Sequence, residues 1–257
     1  MKESGAPEKN LYSIITPEIA WGESTGKDVK IAIVDSGIDS YHPVLKDSVK
    51  GGVEISIDRE KKIHIITPDI ITDSFGHGTA CAGIINRLAP KAELYSIKVT
   101  ASGRGKGEVF LAGLKWAIDN NMDVINLSLG TTSSIYTGRF FKLLEDAYYK
   151  GNIIVTAANN LPSPSLPSVF SSVIAVSYDD FKDDFSFVYH PNNKIEFDAP
   201  GIYVKTTWPG GGYRKMTGTS FAAPHISGLT ALILSKYPGL MAFQVKAILS
   251  FMGKQKS

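Results

Sequence analysis

Short β-branched runs recur along the chain, and each stops at turn-forming residues. The first run, Val29–Val34, is apolar at most positions and ends at Asp35-Ser36-Gly37. A short apolar run of this kind is typical of a strand that is buried on both faces of a sheet. Comparable runs follow at Leu94–Val99, Val124–Leu129, Ile153–Ala158 and Val173–Ser177.

Segments with helical spacing of their apolar residues lie between these runs and after them. The longest begins at Ser220, and Pro238-Gly239 marks its end. The predicted helices are His77–Asn86, Glu108–Asn120, Arg139–Lys150, Ser220–Tyr237 and Met241–Phe251. Strands that alternate with helices predict an α/β fold with a mostly parallel central sheet and helices on both faces.

The domain organisation follows from the chain length and from the distribution of loops. A chain of 257 residues fits one large α/β domain, and we find neither an internal repeat nor a linker. Residues 1–20 are predicted to form an N-terminal arm, with a short helix near Pro17–Trp21. Residues 21–257 are predicted to form one domain.

Composition excludes several classes of partner. Hydrophobic residues make up 43% of the chain and the net charge is only +2, which predicts a folded protein that does not bind nucleic acid. No uninterrupted apolar stretch of about 18 residues occurs, so we expect no membrane span. The single cysteine, Cys81, excludes an internal disulfide and a multi-cysteine metal site. No feature of the sequence indicates the oligomeric state.

Polar residues with chemical potential stand at the ends of these elements. Asp35 and the pair Asn159-Asn160 follow strands, whereas His77 and Ser220 open helices. Taken singly, each has an ordinary structural explanation as a turn residue, a helix cap or a packed side chain. Together they supply an acid, a base, a nucleophile and an amide donor, which is the set that acyl transfer requires.

Each residue type suits one step of that chemistry. A serine hydroxyl becomes a useful nucleophile when a base removes its proton, and histidine titrates near neutral pH. A carboxylate on the other ring nitrogen selects the tautomer and stabilises the imidazolium. An amide side chain and a backbone N–H at a helix N-terminus can stabilise the oxyanion.

Three motifs around these residues resemble those of the subtilase family. They are Ile31–Asp39 for the aspartate, His77-Gly78-Thr79 with Ala82-Gly83 for the histidine, and Gly218-Thr219-Ser220 with Ala223-Pro224-His225 for the serine. The chain order of aspartate, histidine and serine also matches. The stretch Trp116–Gly130 resembles the family's helix and substrate-binding strand, and the resemblance extends from about Trp21 to Phe251.

The resemblance implies a subtilisin-like serine endopeptidase with a catalytic triad. Asp35 would orient His77, His77 would act as general base and then general acid, and Ser220 would attack the scissile carbonyl. Asn160 and the Ser220 backbone N–H would bind the oxyanion. An extended polypeptide substrate would pair with two edges of the groove, formed by Ser128, Leu129 and Gly130 on one side and by Gly103, Arg104 and Gly105 on the other.

Two departures from the family pattern concern the oxyanion site and the outer subsites. The family usually has glycine where this chain has Asn159, so either asparagine could face the site. The alignment of Thr156-Ala157-Ala158 favours Asn160. Gly107 stands where relatives often carry a bulky residue, which predicts an open outer subsite.

A third departure concerns metal binding. Many secreted relatives hold a tight calcium ion, through an aspartate after His-Pro and through a loop inserted in the histidine helix. Here Val44 follows His42-Pro43, and the predicted helix His77–Asn86 has no inserted loop. Calcium needs about six or more oxygen ligands, so we expect this site to be absent and predict no cofactor.

Localisation and substrate preference are open to alternatives. The polar residues 1–10 lack the apolar core of a signal peptide, which favours a cytoplasmic enzyme. The alternative is a secreted enzyme whose targeting and pro-segments have been removed. Near Leu161 and Ser165–Pro167 no acidic residue would select lysine or arginine, so we expect an apolar or aromatic residue before the cleaved bond.

Other residues near these motifs carry weaker indications of function. A Cys81–His77 dyad is disfavoured because small residues surround Cys81, as is usual for a buried thiol. Glu108 would repel the phosphates of a dinucleotide bound at Gly103, Gly105 and Gly107. The other histidines, namely His42, His64, His190 and His225, are predicted to lack comparable partners. The alternative to an active endopeptidase is a binding or scaffolding protein that has lost turnover. An enzyme that matures one precursor peptide is a narrower form of the endopeptidase hypothesis.

Overall fold

A mixed sheet forms the centre of the molecule in the computed structural model, which describes residues 15–102 and 105–255. Its ten strands among these residues lie in the order β12-β8-β9-β7-β6-β5-β1-β4-β2-β3. They are β1 Lys30–Asp35, β2 Val49–Ile57, β3 Ile63–Ile66, β4 Glu93–Lys98, β5 Val124–Leu127, β6 Ile153–Ala157, β7 Ile174–Asp179, β8 Val188–Tyr189, β9 Phe197–Pro200 and β12 Lys254–Gln255. The strands β10 Val204–Trp208 and β11 Gly212–Met216 form a separate antiparallel hairpin.

Parallel pairing predominates in the sheet, as the sequence predicts. Strand β1 lies between β4 and β5, parallel to both, and the parallel series continues through β6, β7 and β9. Within the described sheet only two pairs are antiparallel, β2 with β3 and β8 with β9. The segment predicted as a strand over Val124–Leu129 ends earlier, at Leu127. The sequence analysis did not identify β2, β3 or β8 to β12.

Helices cover both faces of the sheet. They are α1 Pro17–Ala20, α2 His77–Leu88, α3 Gly107–Asp119, α4 Thr137–Lys150, α5 Thr219–Lys236 and α6 Ala242–Met252. Helices α2 and α5 pack in the apolar core on one face, and α3 and α4 pack in the core on the other. The predicted helices agree with these bounds to within two residues at each end. Among the helices of the described chain, none has the length and apolar character that crossing a bilayer requires.

The carboxyl ends of the central parallel strands gather the polar residues singled out above. Asp35 ends β1, Ser128 follows β5, and Asn159 and Asn160 follow β6. Helix α5 is buried along almost its whole length, and its N-terminus brings Ser220 to the same edge. In parallel sheets this edge is the usual position of an active site.

Candidate active site

Asp35 and His77 form a direct hydrogen-bonded pair. Nδ1 of His77 lies 2.8 Å from Oδ1 and 2.9 Å from Oδ2 of Asp35. The Asp35 carboxylate is buried, whereas the imidazole retains 17% of its side-chain exposure. A neutral imidazole that carries its proton on Nδ1 leaves Nε2 free to accept a proton, so the pair is arranged for general base catalysis.

The position of His77 depends on a close backbone contact between α2 and the turn after β1. A Cβ atom on Gly78 would lie 2.1 Å from the carbonyl oxygen of Gly37 and 3.1 Å from Cβ of Asp35. Only glycine therefore lets the first turn of α2 approach this closely. The Ser36 hydroxyl also accepts a hydrogen bond from the N–H of Gly78 at 3.0 Å.

A buried carboxylate that the sequence analysis did not identify also holds the start of α2. Asp73 accepts four hydrogen bonds, from the backbone N–H groups of Phe75, Gly76 and Thr79 and from the Thr79 hydroxyl, at 2.7–3.0 Å. A carboxylate at a helix N-terminus satisfies N–H groups that have no intrahelical acceptor and interacts favourably with the helix dipole. The spacing Asp-x-x-x-His before a helix was the available sequence signal.

The turn that leads into α5 presents Ser220. Gly218 has φ of +145°, which favours glycine, and its Cα packs against the Asn160 side chain. The Thr219 hydroxyl donates to the Ala158 carbonyl at 2.7 Å, and the Thr219 N–H donates to Oδ1 of Asn160 at 3.0 Å. The turn is thereby attached to the end of β6. The N–H of Ser220 lies in the first turn of α5, where helices leave such groups without an intrahelical acceptor.

The Ser220 side chain contacts the segment after β5. Its hydroxyl donates to the Ser128 carbonyl oxygen at 3.1 Å, which is the hydrogen bond that the described residues give to this side chain. The imidazole of His77 lies close by, since its ring centroid is 5.3 Å from that of Phe221, the residue after Ser220. The three predicted catalytic residues are thus brought together, with the nucleophile turned towards Ser128.

The two asparagines after β6 differ in their contacts. Asn160 uses Oδ1 to accept from Thr219, so its Nδ2 donors remain on the other side of the amide. Asn159 donates through Nδ2 to the carbonyl and hydroxyl oxygens of Ser163 and accepts from the Leu161 N–H. Asn159 therefore stabilises its own loop, and Asn160 is the residue placed beside the Ser220 turn.

The electrostatics of the site follow from burial and from the Asp35 charge. Burial of the ring favours neutral imidazole, but the adjacent Asp35 carboxylate outweighs this effect and raises the pKa of His77 above its ordinary value. Burial also raises the pKa of the Cys81 thiol. Cys81 lies behind the catalytic residues, with Sγ 3.4 Å from the Ser220 carbonyl oxygen and 4.0 Å from Oδ2 of Asp35.

Comparison with known proteins agrees with this geometry. A model of the subtilase family matches residues 26–250. This chain belongs to the subtilase family. It is a subtilisin-like serine endopeptidase, and its substrates are polypeptides.

Individual relatives support the same assignment. The chain is 36% identical to subtilisin DY of Bacillus licheniformis over 241 residues, which cover 88% of this chain and 83% of the relative. It is 34% identical to the major intracellular serine protease of Bacillus subtilis, with coverage of 88% and 75%. Four other subtilisins match 86% of the chain, which spans 59% of their length.

A solved structure shows the same fold. The crystal structure of a cold adapted subtilisin-like serine proteinase superimposes with a TM-score of 0.71 at 24% identity, covering 89% of this chain and 83% of that one. The predicted subtilisin-like α/β fold, with a mostly parallel sheet, is therefore confirmed.

A cavity of about 130 Å³ in this subtilase adjoins Ser220. Ser128, Leu129 and Gly130 line it, together with residues after β6. Of the segment Ser165–Pro167, only Ser165 belongs to the described lining. No charged side chain belongs to the described lining of this cavity.

The second predicted substrate edge is only partly described. Gly103 and Arg104 lie outside the described residues. Gly105 is exposed, belongs to no strand and lines a separate groove beside β2. The structure does not have the expected open outer subsite at Gly107, because a Cβ atom there would lie 2.3 Å from the Tyr136 ring. Tyr136, from the turn before α4, fills the space that a side chain at position 107 would take.

The prediction that the other histidines lack comparable partners was wrong for His64, His190 and His225, whereas His42 contacts the backbone carbonyl of Gly212. Nε2 of His64 lies 2.7 Å from Asp58, and Nε2 of His190 lies 2.7 Å from Asp198. Nε2 of the buried His225 lies 3.3 Å from Asp184. The first two pairs join residues six and eight positions apart, whereas the pair of His225 and Asp184 joins residues 41 positions apart, which spacing along the chain does not indicate.

The partner of His225 also connects the two catalytic helices. Asp184 accepts from Nε and Nη2 of Arg87, at 2.6 and 2.9 Å, and Arg87 lies in the last turn of α2. His225 lies on α5, five residues after Ser220. Asp184 thereby links the helix of His77 to the helix of Ser220.

Proposed function

We propose that the chain hydrolyses peptide bonds through an acyl-enzyme on Ser220, with Asp35 and His77 as the other members of the triad. The observation that carries this proposal is the Asp35–His77 hydrogen bond of 2.8 Å beside the Ser220 turn. Residues from three distant stretches of sequence supply the acid, the base and the nucleophile at one edge of the sheet. This arrangement is the one that serine peptidases of several unrelated folds use.

The reaction begins when the Ser220 hydroxyl turns from the Ser128 carbonyl towards Nε2 of His77. As Oγ attacks the scissile carbonyl carbon, its proton passes to His77, and Asp35 stabilises the imidazolium. The Ser220 N–H and Nδ2 of Asn160 stabilise the oxyanion. His77 then protonates the leaving amine as the C–N bond breaks. Water then attacks the ester carbonyl as His77 takes its proton, the bond to Oγ breaks, and His77 returns the proton to Ser220 as the acid product leaves.

Labelling with a fluorophosphonate probe tests this role. We expect the native chain to be labelled and Ser220→Ala to be unlabelled, because the probe forms its bond with an activated serine. Ser171→Ala, which changes an exposed serine outside the site, is the matched control and should retain labelling. Failure of the folded native chain to react would instead support a binding or scaffolding role.

The cavity beside Ser220 supports a preference for an uncharged residue before the cleaved bond. Its lining combines the apolar Leu129, Ala157 and Ala158 with serine, threonine and asparagine side chains, and it holds no carboxylate that would bind lysine or arginine. We therefore retain the prediction of an apolar or aromatic residue at this position. Cleavage of a peptide library measures the preference, and a strict requirement for a basic residue would contradict it.

Residues of this chain do not fit the tight calcium site of many secreted relatives. Val44 offers no carboxylate after His42-Pro43, and α2 continues without interruption from His77 to Leu88. We infer that stability does not depend on calcium at this position. Thermal unfolding should be unchanged when a chelator removes divalent cations, and a fall of several degrees in Tm on chelation would contradict the inference.

We further propose that the enzyme acts in the cytoplasm, on exposed extended segments of polypeptides or, more narrowly, on a dedicated precursor peptide. The similarity to a relative named as an intracellular serine protease supports the location. Fractionation of cells that produce the full chain tests it, and recovery of the active enzyme from the medium would favour the secreted alternative. General digestion of casein would count against the narrow maturation role.

A further inference from the structure

Helix α5 contains a proline four residues after the nucleophile. Pro224 has no N–H group, so the carbonyl of Ser220 lacks the intrahelical donor that residue i+4 ordinarily supplies. A buried carbonyl without a donor is costly, and the loss falls on the backbone of the residue that performs the attack. Other donors must therefore replace the missing N–H at the Ser220 carbonyl.

Two side chains from different elements donate to this carbonyl. The Ser128 hydroxyl lies 2.9 Å from the Ser220 carbonyl oxygen, and Sγ of Cys81 lies 3.4 Å from it. Sγ of Cys81 also lies 3.4 Å from the Ser128 hydroxyl oxygen, so its single proton supports the carbonyl either directly or through Ser128. Both donors are buried. Since burial raises the pKa of Cys81, its thiol keeps the proton that it donates.

Further hydrogen bonds orient the Ser128 hydroxyl. Nδ2 of Asn126 donates to the Ser128 hydroxyl oxygen at 3.0 Å, so the hydroxyl proton is free to point at Ser220. The Ser227 hydroxyl, two turns further along α5, donates to Oδ1 of Asn126 at 2.9 Å. The chain of bonds therefore leaves α5 at Ser227, passes through β5 and returns to α5 at Ser220.

We propose that Ser128 and Cys81 are positioning residues, whose side-chain donors replace the N–H that Pro224 lacks and so hold the Ser220 backbone in its reactive place. This role rests on the proposed function of Ser220, and it adds two side chains to the site. Neither is a reacting group. A purely space-filling role for Cys81 would not depend on whether residue 81 can donate a hydrogen bond.

The first experiment measures kcat and KM on a peptide anilide for Ser128→Ala, Cys81→Ala and Cys81→Ser. One hydrogen bond of this kind corresponds to about a 3- to 10-fold change in rate. We expect kcat to fall by that factor in Ser128→Ala and Cys81→Ala while KM stays within about twofold, and Cys81→Ser to retain kcat because its hydroxyl still donates. Equal kcat for Cys81→Ala and the native enzyme would overturn the role of Cys81.

The second experiment restores the missing donor. Pro224→Ala supplies an N–H to the Ser220 carbonyl, so Ser128→Ala should lose much less kcat in that background than in the native chain. An undiminished loss would overturn the proposal. If circular dichroism shows that Pro224→Ala does not fold, the difference in kcat between Cys81→Ala and Cys81→Ser tests the proposal instead.

Fluorophosphonate labelling distinguishes failure of the positioning roles from failure of the proposed function. Labelling of the native chain, combined with unchanged kcat in both alanine variants, would overturn the positioning roles alone. Absence of labelling in the folded native chain would overturn the proposed function itself.

Discussion

The hydroxyl of Ser220 donates to the carbonyl oxygen of Ser128, 3.1 Å away. The Ser128 carbonyl belongs to the segment that is expected to pair with substrate. A bound peptide backbone therefore competes with the Ser220 hydroxyl for hydrogen bonds in this segment. Catalytic hydrogen bonds are often absent before substrate binds. We therefore expect the nucleophile to reach His77 by a side-chain rotation.

Replacement of Asp35 by asparagine should change both the rate and the pH dependence. The base must be neutral, and Asp35 raises the pKa of His77, so kcat/KM of the native enzyme should rise with pH through a value above 6.5. In Asp35→Asn this rise should move to lower pH, because the carboxylate no longer stabilises the imidazolium. The maximum should fall by about 10⁴-fold, the loss that the same change causes in a serine protease of unrelated fold. An unmoved acid limb would exclude His77 as the titrating group.

The neighbouring asparagines provide a matched pair of variants. Asn160→Ala should lower kcat by about 10²–10³-fold with little change in KM, which is the loss that follows removal of an oxyanion donor from a subtilisin. Asn159→Ala should lower kcat by only a few-fold, since Asn159 bonds to Ser163 within its own loop. Peptide hydrolysis by purified variants measures both effects, and a reversed order would assign the oxyanion role to Asn159.

Asp73 is predicted to be important for stability and for the placement of His77. Asparagine at this position cannot accept all four hydrogen bonds, so Asp73→Asn should destabilise the fold by about 2–3 kcal/mol. Urea unfolding measures the change. The exposed Asp69, in the same loop, is the control, and Asp69→Asn should leave stability within about 0.5 kcal/mol. Equal effects of the two variants would show that the buried carboxylate has no special role.

The link between α2 and α5 predicts a pH-dependent stability. The hydrogen bond from His225 and the charge of Arg87 hold the pKa of Asp184 below its ordinary value. A carboxyl whose pKa is lower in the folded state stabilises the fold above the pKa of the unfolded chain, and this contribution disappears as pH falls through the folded-state pKa. Because about a third of Asp184 is exposed, screening limits the contribution to about 1 kcal/mol.

Asp184→Asn should therefore lower Tm near neutral pH, and the difference from the native protein should close in acid. The exposed neighbour Asp183 supplies the control substitution Asp183→Asn, which should change Tm little. A Tm difference that persists unchanged down to acid pH would contradict the electrostatic explanation.

The predicted parts of the fold were those with strong local patterns. Val29–Val34 and the helix after Ser220 could be identified because burial on all sides gives continuous apolar sequence. Strand β2 carries two glycines and alternating polar residues, β3 has four residues, and β8 and β12 have two residues each, so periodicity gives no comparable signal for them.

The site could be predicted where a motif surrounds the residue. Asp35, His77 and Ser220 each lie in such a motif, and all three meet at the predicted edge of the sheet. Asp73 bonds to residues within six positions of itself, so its spacing before α2 could have indicated its role. The role of Asp184 depends on contacts with Arg87 and His225 in distant elements, which residue spacing does not encode. The occupation of the space above Gly107 by Tyr136 is a contact of the same kind.

The contact between Gly78 and the Gly37 carbonyl sets the spacing of the acid and the base through main-chain atoms. The distance between Asp35 and His77 therefore does not depend on the side chains around the pocket. Mutagenesis aimed at new cleavage preferences can vary the lining residues widely, provided that position 78 is left as glycine, since even a methyl group there would force the two catalytic segments apart.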